Sequence, residues 1–264
     1  MTNMPPERIL EHWDNASLWP GGCGLDLPAA YERALTVRRL RIARGERPLG
    51  YKVGFTNRNI WPRYQVFGPI WGPVWNTTVV FCEGDGTLPL GGTCQPRLEP
   101  EAVFGMAATP PVDASLDDLL ACVDWVAPGF ELVQSHRPGW VFTAADTVAD
   151  CGLHARLLVG ARVPAAQVGR DAAAFEAQLA SASVTLKRGD EVVDRGVGAN
   201  VLDGPLHALH HFLRALRDCP GATGLQPGDV VTTGTWTDAW PVAAGEQWTA
   251  EFESPLPPLR VSFT

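Results

Sequence analysis

The chain has 264 residues, 45% of them hydrophobic and 19% charged, with a formal net charge of -8. That length carries a sizeable core, and those fractions belong to ordered globular proteins rather than disordered ones. The acidic balance argues against a nucleic-acid surface or an anionic membrane partner, since both draw on an excess of Lys and Arg.

The N-terminal stretch has no apolar core of signal-peptide length, and no apolar run approaches the roughly 20 residues that span a bilayer, so a soluble cytoplasmic protein is expected. Helical material is expected over residues 6–13. A longer helix follows over 26–45, where Asp26 caps, Pro28 sits in the first turn, Ala30, Ala34, Val37 and Leu40 share a face, and Gly45 stops the run. The basic stretch 37–52 reads as a solvated charged face. "LGYKVGF" reads as a strand whose Lys52 either faces solvent or points into a cleft.

Residues 56–76 are dense in Trp, Pro and Gly, which suits an ordered loop over a pocket better than a helix. Trp61, Trp71 and Trp75 in it are either satellite core or pocket wall. A strand follows up to Met106. A helix starting at Ser115 and running on through "LDDLLACVDWV" is expected, with Asp118 closing a capping box. "PGFELVQS" (128–135) reads as a strand carrying Glu131, 146–160 as helix and then strand, and 182–198 as a hairpin turning at Arg188-Gly189-Asp190.

The segment 204–217 reads as a helix with Leu206, Leu209, Leu213 and Leu216 on one stripe; His207, His210 and His211 on it lack the acid that a zincin motif needs. Short strands end the chain. The six cysteines (23, 82, 94, 122, 151 and 219) form no CxxC pair and read as reduced thiols. Many short strands with about three helices predict an α+β fold around a mixed or antiparallel sheet system.

Chemistry concentrates in "QPRLEPEAVFGM" (95–106). In a strand, Glu99 and Glu101 share one face. Two adjacent buried carboxylates raise one pKa or need a cation. Three readings stand at this point: a metal site, an ion-pair cluster with Arg97 or Lys52, and a half-exposed strand face. Glu131 is the available third oxygen donor, and an all-carboxylate set favours Mg²⁺ or Mn²⁺ over zinc. Pro100 between the two acids suits an edge or a bulge.

The ordered strings "GYKVGF", "PRLEPEAVF", "DWVAPGFELVQSH", "DTVAD" and "GDVVTTGT" resemble the 2-oxopent-4-enoate (2-hydroxypentadienoate) hydratases, and the similarity spans roughly residues 26–263. That family includes the related 4-oxalocrotonate decarboxylases and lies within the fumarylacetoacetate hydrolase superfamily. The resemblance implies one hydratase-like domain over 1–264, with 1–45 mainly helical and 46–264 the catalytic core, built as a mixed β-roll or barrel with flanking helices. It implies a metal held by Glu99, Glu101 and Glu131, Lys52 near the substrate and Asp146 in the pocket surroundings as catalytic residues, and Thr235 on the substrate carboxylate. It further implies a small 2-oxo acid substrate from ring-cleavage catabolism, assembly as dimers or rings of dimers, and a pathway enzyme as a candidate partner.

Hydration is the favoured reaction on this resemblance; decarboxylation, C–C hydrolysis and an inactive assembly partner are the alternatives. One departure bears on the choice. Val66 stands where the family carries an acid, and Arg63, Tyr64, Gln65, Glu83 and His136 are the candidates to replace it. Trp61 and Trp71 are the expected aromatic substrate contacts, with Trp140 raising the same question.

Overall fold

The computed structural model describes residues 4–264. Its elements run α1 (Pro6–Asp14), α2 (Leu27–Ala43), β1 (Pro48–Gly54), α3 (Trp61–Tyr64), β2 (Ile70–Trp75), β3 (Val79–Phe81), β4 (Asp85–Leu88) and β5 (Arg97–Met106). Then come α4 (Leu116–Leu120), β6 (Val123–Val133), α5 (Ala144–Ala149), β7 (His154–Val159), β8 (Val163–Pro164), α6 (Ala165–Val168), α7 (Ala172–Ser181), β9 (Ser183–Arg188) and β10 (Glu191–Val197). The chain closes with α8 (Pro205–Arg217), β11 (Val230–Thr235), β12 (Trp240–Pro241), β13 (Gln247–Phe252) and β14 (Leu259–Phe263).

Two sheets result. The larger has the order β2-β1-β11-β5-β6-β7-β3, with β12 added to β5 and β8 to β6; the smaller has the order β10-β9-β13-β14-β4. Most pairs are antiparallel, but β1 with β11, β3 with β7, and β4 with β14 run parallel, so both sheets are mixed. The larger sheet curls into a half-barrel flanked by helices, the α+β roll architecture expected. Among the described residues no helix is long and apolar enough to cross a membrane, and all six cysteines are free.

Several local expectations hold for the stated reasons. Asp26 accepts from Ala29 N at α2, and Ser115 and Asp118 form a reciprocal capping box at α4. The hairpin β9–β10 turns at Gly189 and Asp190. Others need correction. The helix begun at Ser115 ends at Leu120, because Val123, Trp125 and their neighbours enter β6 and pair with β5 and β8. The aromatic segment 56–76 is not all loop: Ile70–Trp75 is a strand despite Pro73, which is tolerated because β2 is an edge of the sheet.

Pro100, by contrast, is not at an edge, since β5 lies between β11 and β6. Its carbonyl accepts from Trp236 N (3.0 Å), and beside it the β11 register shifts between Thr232 and Thr235. A strand residue's N–H and C=O project to the same side, so the missing N–H faces the stretch where the ladder is already interrupted.

The basic stretch 37–52 is not uniformly solvated either. Arg41 is 1% exposed, its guanidinium carbon 4.0 Å from the Trp13 ring centroid and 4.4 Å from that of Trp75. It donates to both oxygens of Glu46, at 2.9 and 2.6 Å. One cation thereby ties α1, α2 and β2 together through two indole faces and a fork to a carboxylate. Burial alone would raise the Glu46 carboxyl, but bonds from Arg41, Thr77 and Arg44 hold it down at about 2.

Arg41→Ala is expected to cost about 3 kcal/mol or more, because it leaves Glu46 without its main partner and empties the space between two rings. Urea unfolding checks this. Glu46 titrates lower in the folded chain than in the unfolded one, so its contribution is complete above about pH 4.5 and is lost as pH falls toward about 2. The stability gap between wild type and Glu46→Gln should therefore shrink across that window and stay constant above it.

Candidate metal and substrate site

The site grows out of strand register. Glu99 and Glu101 alternate onto one face of β5, and Glu131 on β6 is the direct antiparallel partner of Glu99. Carboxylate oxygens of all three lie within 4.8 Å of one another, with Glu99 half-buried and the other two buried. The structure thus brings together the three acids singled out in the sequence.

Lys52 on β1 joins them. It is 3% exposed, and its Nζ lies 3.0 Å from Glu131 Oε2, so of its two sequence readings the cleft-facing one is correct. Gly152, with φ +71, stands against the lysine stem at a place where a Cβ would press on Lys52 Cδ.

Two further contacts complete the cluster. Gly234 N donates to Glu101 Oε2 at 2.6 Å from the irregular stretch of β11. Its φ of +98 and the closeness of the Thr56 side chain leave room only for glycine. His154 on β7 places Nδ1 2.9 Å from Glu131 Oε1 and Nε2 2.8 Å from Thr78 Oγ1. Burial outweighs the pull of Glu131 and lowers the His154 pKa, so the ring is neutral and its Nδ1–H donates to the carboxylate.

The electrostatics are unbalanced. Burial raises Glu99 to about 7, with Lys52 opposing and Glu131 adding to the shift. Burial, then Glu131 and Glu99, push Glu101 well above the carboxylate range. Burial works the same way on Glu131, but Lys52 and His154 prevail and hold it below its ordinary value. Lys52 in turn is raised, since the three acids outweigh its burial.

Fully ionised, three carboxylates face one ammonium, and Glu101 Oε1 is buried with no hydrogen-bond partner. An orphaned oxygen in an all-carboxylate cluster with two surplus negative charges fits a hard divalent cation.

A cavity of about 400 Å³ opens over this cluster, walled by Lys52, Glu99, Arg97, Thr235 and an aromatic group of Phe55, Tyr64, Trp140 and Phe142. Phe55 stacks on Tyr64 at 4.8 Å and Tyr64 on Phe142 at 5.5 Å; Phe142 meets Trp140 at 6.0 Å, and the Arg97 guanidinium lies 4.3 Å from the Trp140 ring. Half-buried Asp194 and exposed Asp238 also line it.

Other expected residues lie elsewhere. Trp71 turns into the core against Tyr31, Tyr51 and Phe212, because its strand position faces α2 and α8. Trp61 is half-buried, donates its indole N–H to Phe55 O (2.6 Å) and is not in the cavity wall. The aromatic contacts come instead from Trp140 and from the Phe and Tyr residues.

Asp146 is also outside the cavity wall. It accepts from Thr143 N (3.0 Å) as a helix cap and from Cys23 N (2.6 Å), binding the N-terminal segment to α5. Burial raises its carboxyl, but those bonds win and lower it.

Of the candidates to replace the acid at Val66, Tyr64 alone lines the cavity. Val66 is buried, its N–H bonded to Trp61 O. Glu83 is exposed, while His136 is sealed against Asp150 (2.6 Å) beneath Trp19. His154, Thr78 and Gly234 escaped the sequence reading. A histidine heading the mostly apolar strand HARLLV was the available signal.

No family model matches the chain. Among characterised relatives, the chain is 30% identical over 227 residues to the 2-hydroxyhexa-2,4-dienoate hydratase of Comamonas testosteroni, covering 83% of this chain and 80% of the relative. It is 28% identical over 244 residues to a 4-oxalocrotonate decarboxylase of a Pseudomonas species, covering 89% and 90%. The solved 4-oxalocrotonate decarboxylase from Pseudomonas putida G7, complexed with magnesium and adipate, superposes with a TM-score of 0.88 at 24% identity, covering 98% of this chain and 95% of that one. With the carboxylate cluster and the curled sheet in hand, these likenesses establish that the chain belongs to the 2-oxopentenoate hydratase/4-oxalocrotonate decarboxylase family of the fumarylacetoacetate hydrolase superfamily.

Proposed function

We propose that the protein is a divalent-metal-dependent lyase that removes CO₂ from an unsaturated 2-oxo acid of the 4-oxalocrotonate type. Glu99, Glu101 and Glu131 hold the ion, and magnesium suits their oxygen-only donor set. When bound, such an ion supplies Lewis acidity that stabilises negative charge on a 2-oxo acid. The observation that carries the reading is the cavity itself: a charged floor of carboxylates and Lys52 beneath an aromatic wall.

That asymmetry suits charge that starts on a remote carboxylate and ends on the 2-oxo oxygen. Lys52 puts its ammonium at the floor, where the oxygen of C2 gains charge as CO₂ departs. Thr235, the cross-strand partner of Glu101, holds the substrate's C1 carboxylate beside that floor. Phe55, Tyr64, Trp140 and Phe142 keep the conjugated chain flat and exclude water, which favours loss of a carboxylate as neutral CO₂.

Hydration is the second reading, favoured by the 30% identity to a dienoate hydratase. It asks more of the cavity, because a water must be deprotonated, and apart from Glu99 the carboxylates in the wall are Asp194, already accepting from Asp238 N and Trp240 Nε1, and the exposed Asp238. No step in this reading is given to Asp146, expected from the resemblance, or to Trp61 and Trp71, expected from the tryptophan-rich stretch.

Three measurements bear on this. Calorimetric titration with Mg²⁺ should show Glu101→Gln binding at least tenfold more weakly, and His154→Leu, which removes the donor behind Glu131, weaker by about 10- to 100-fold. Unchanged affinity in Glu101→Gln would take that residue out of the ligand set. Incubated with 4-oxalocrotonate, the magnesium-loaded protein should release CO₂ and a five-carbon acid, read by mass. Water gained by 2-hydroxypenta-2,4-dienoate without any CO₂ release would select hydration. Two carbon fragments would select hydrolysis, and no turnover at saturating metal would point to an assembly partner.

A further inference from the structure

We propose that Tyr64 is a catalytic residue, its hydroxyl delivering the proton to the far end of the substrate chain; this rests on the reading of the site given above. Hydration places a new hydrogen on the terminal carbon, remote from Lys52, and in decarboxylation the dienolate left by CO₂ takes one there when it ends as the conjugated 2-oxo acid. The cavity wall holds few groups able to supply it. Lys52 is engaged with Glu131 at the floor, at 3.0 Å, and Glu99 is taken up with Glu101 and Glu131 in holding the ion. Arg97 and Arg195 do not release protons in proteins. Asp194 is occupied by Asp238 N (3.1 Å) and Trp240 Nε1 (2.9 Å), and Asp238 is exposed at the rim. Hydroxyls such as that of Thr235 are too weakly acidic.

Tyr64 remains, and its surroundings position it. The ring is sandwiched between Phe55 (4.8 Å, 16° between planes) and Phe142 (5.5 Å, 25°). Gln65, with φ +52, ends α3 in a left-handed turn. The next side chain, Val66, is buried, so this short helix presents a phenol to the cavity and nothing else acidic. The Arg63 guanidinium lies 5.3 Å from the phenol ring, a nearby positive charge for the phenolate left after donation.

None of the hydrogen bonds among the described residues engages the Tyr64 hydroxyl, which leaves it for a ligand. The aromatic group also adjoins the reacting floor. Phe55 follows Gly54, where a Cβ would stand 3.6 Å from Lys52 Nζ.

The chemistry balances without an added reagent. In decarboxylation the bond from C5 to the departing carboxylate breaks, and its electron pair enters the conjugated chain. The Tyr64 O–H bond then breaks as a C5–H bond forms, and the phenolate regains a proton from water at the open rim. In hydration the same proton enters C5 of the 2-hydroxydienoate while the enol proton leaves to water, giving a conjugated 2-oxo acid that adds water at C4.

The test compares magnesium-loaded wild type with Tyr64→Phe, which keeps the stacked ring, in D₂O with 4-oxalocrotonate and 2-hydroxypenta-2,4-dienoate. NMR locates the deuterium. Wild type should place it on C5, and Tyr64→Phe should do so about 10²- to 10⁴-fold more slowly, with KM within about threefold. A parallel reaction with 2-oxopentanoate, which can only exchange its C3 protons, reads the Lys52 end alone. Its exchange rate and its affinity should be equal in the two proteins. Deuterium reaching C5 at the wild-type rate in Tyr64→Phe overturns the assignment. So does loss of C3 exchange or of 2-oxopentanoate affinity in that variant, which would make the ring a packing element. Wild type inactive in both assays removes the reading of the whole site, and Tyr64 with it.

Discussion

Three carboxylates gathered around one ammonium in the wall of a curled sheet set the terms for the rest of the molecule. Each charge withdrawn from water costs several kcal/mol unless it is paired, so the cluster can persist only if its surroundings return most of that cost. Gly234 N–H and the neutral His154 ring each satisfy one oxygen, and Lys52 neutralises one acid. The two raised carboxyls, Glu99 and Glu101, register the part that protein groups leave unmet. A divalent cation would meet it, and catalysis on a 2-oxo acid would draw on the same field.

The fold is arranged so that this cluster cannot relax. Direct pairing of Glu99 with Glu131 across an antiparallel ladder fixes their separation, and β5 and β6 are both interior strands of the sheet. The Cα and Cβ positions of the two acids cannot separate without unzipping strands on either side. The register shift in β11 lets Gly234 turn its N–H inward and accommodates Pro100 beside it. One irregularity in the ladder thus serves both the backbone of β5 and the site.

Around this rigid floor the wall is made of less regular parts. Phe55, Phe142 and Trp140 from two connecting stretches and Tyr64 from the short α3 lean on one another, ending at Arg97. Arg97 lies on the same β5 face as Glu99, so strand and loops meet at that guanidinium. The N-terminal helices contribute from outside: Arg41 locks them to β2, and Asp146 holds the preceding segment against α5. Binding chemistry on loops carried by a stiff sheet is the common division of labour in such sites.

The sequence by itself determined whatever depends on near neighbours in the chain. Period-two spacing put Glu99 and Glu101 on one face, capping residues marked the starts of α2 and α4, and a Gly-Asp turn marked the hairpin. The ordered motifs carried the family and with it the third acid. Tertiary structure decided what depends on contacts between distant segments. It turned Lys52 inward, brought His154 and Gly234 to the carboxylates, sent Trp71 to the core and Arg41 between two indoles, and stopped the helix after Leu120 so that Val123 could begin a strand. The reason is physical: a side chain's local pattern says which face it occupies, whereas the curl and pairing of the sheet decide what that face meets.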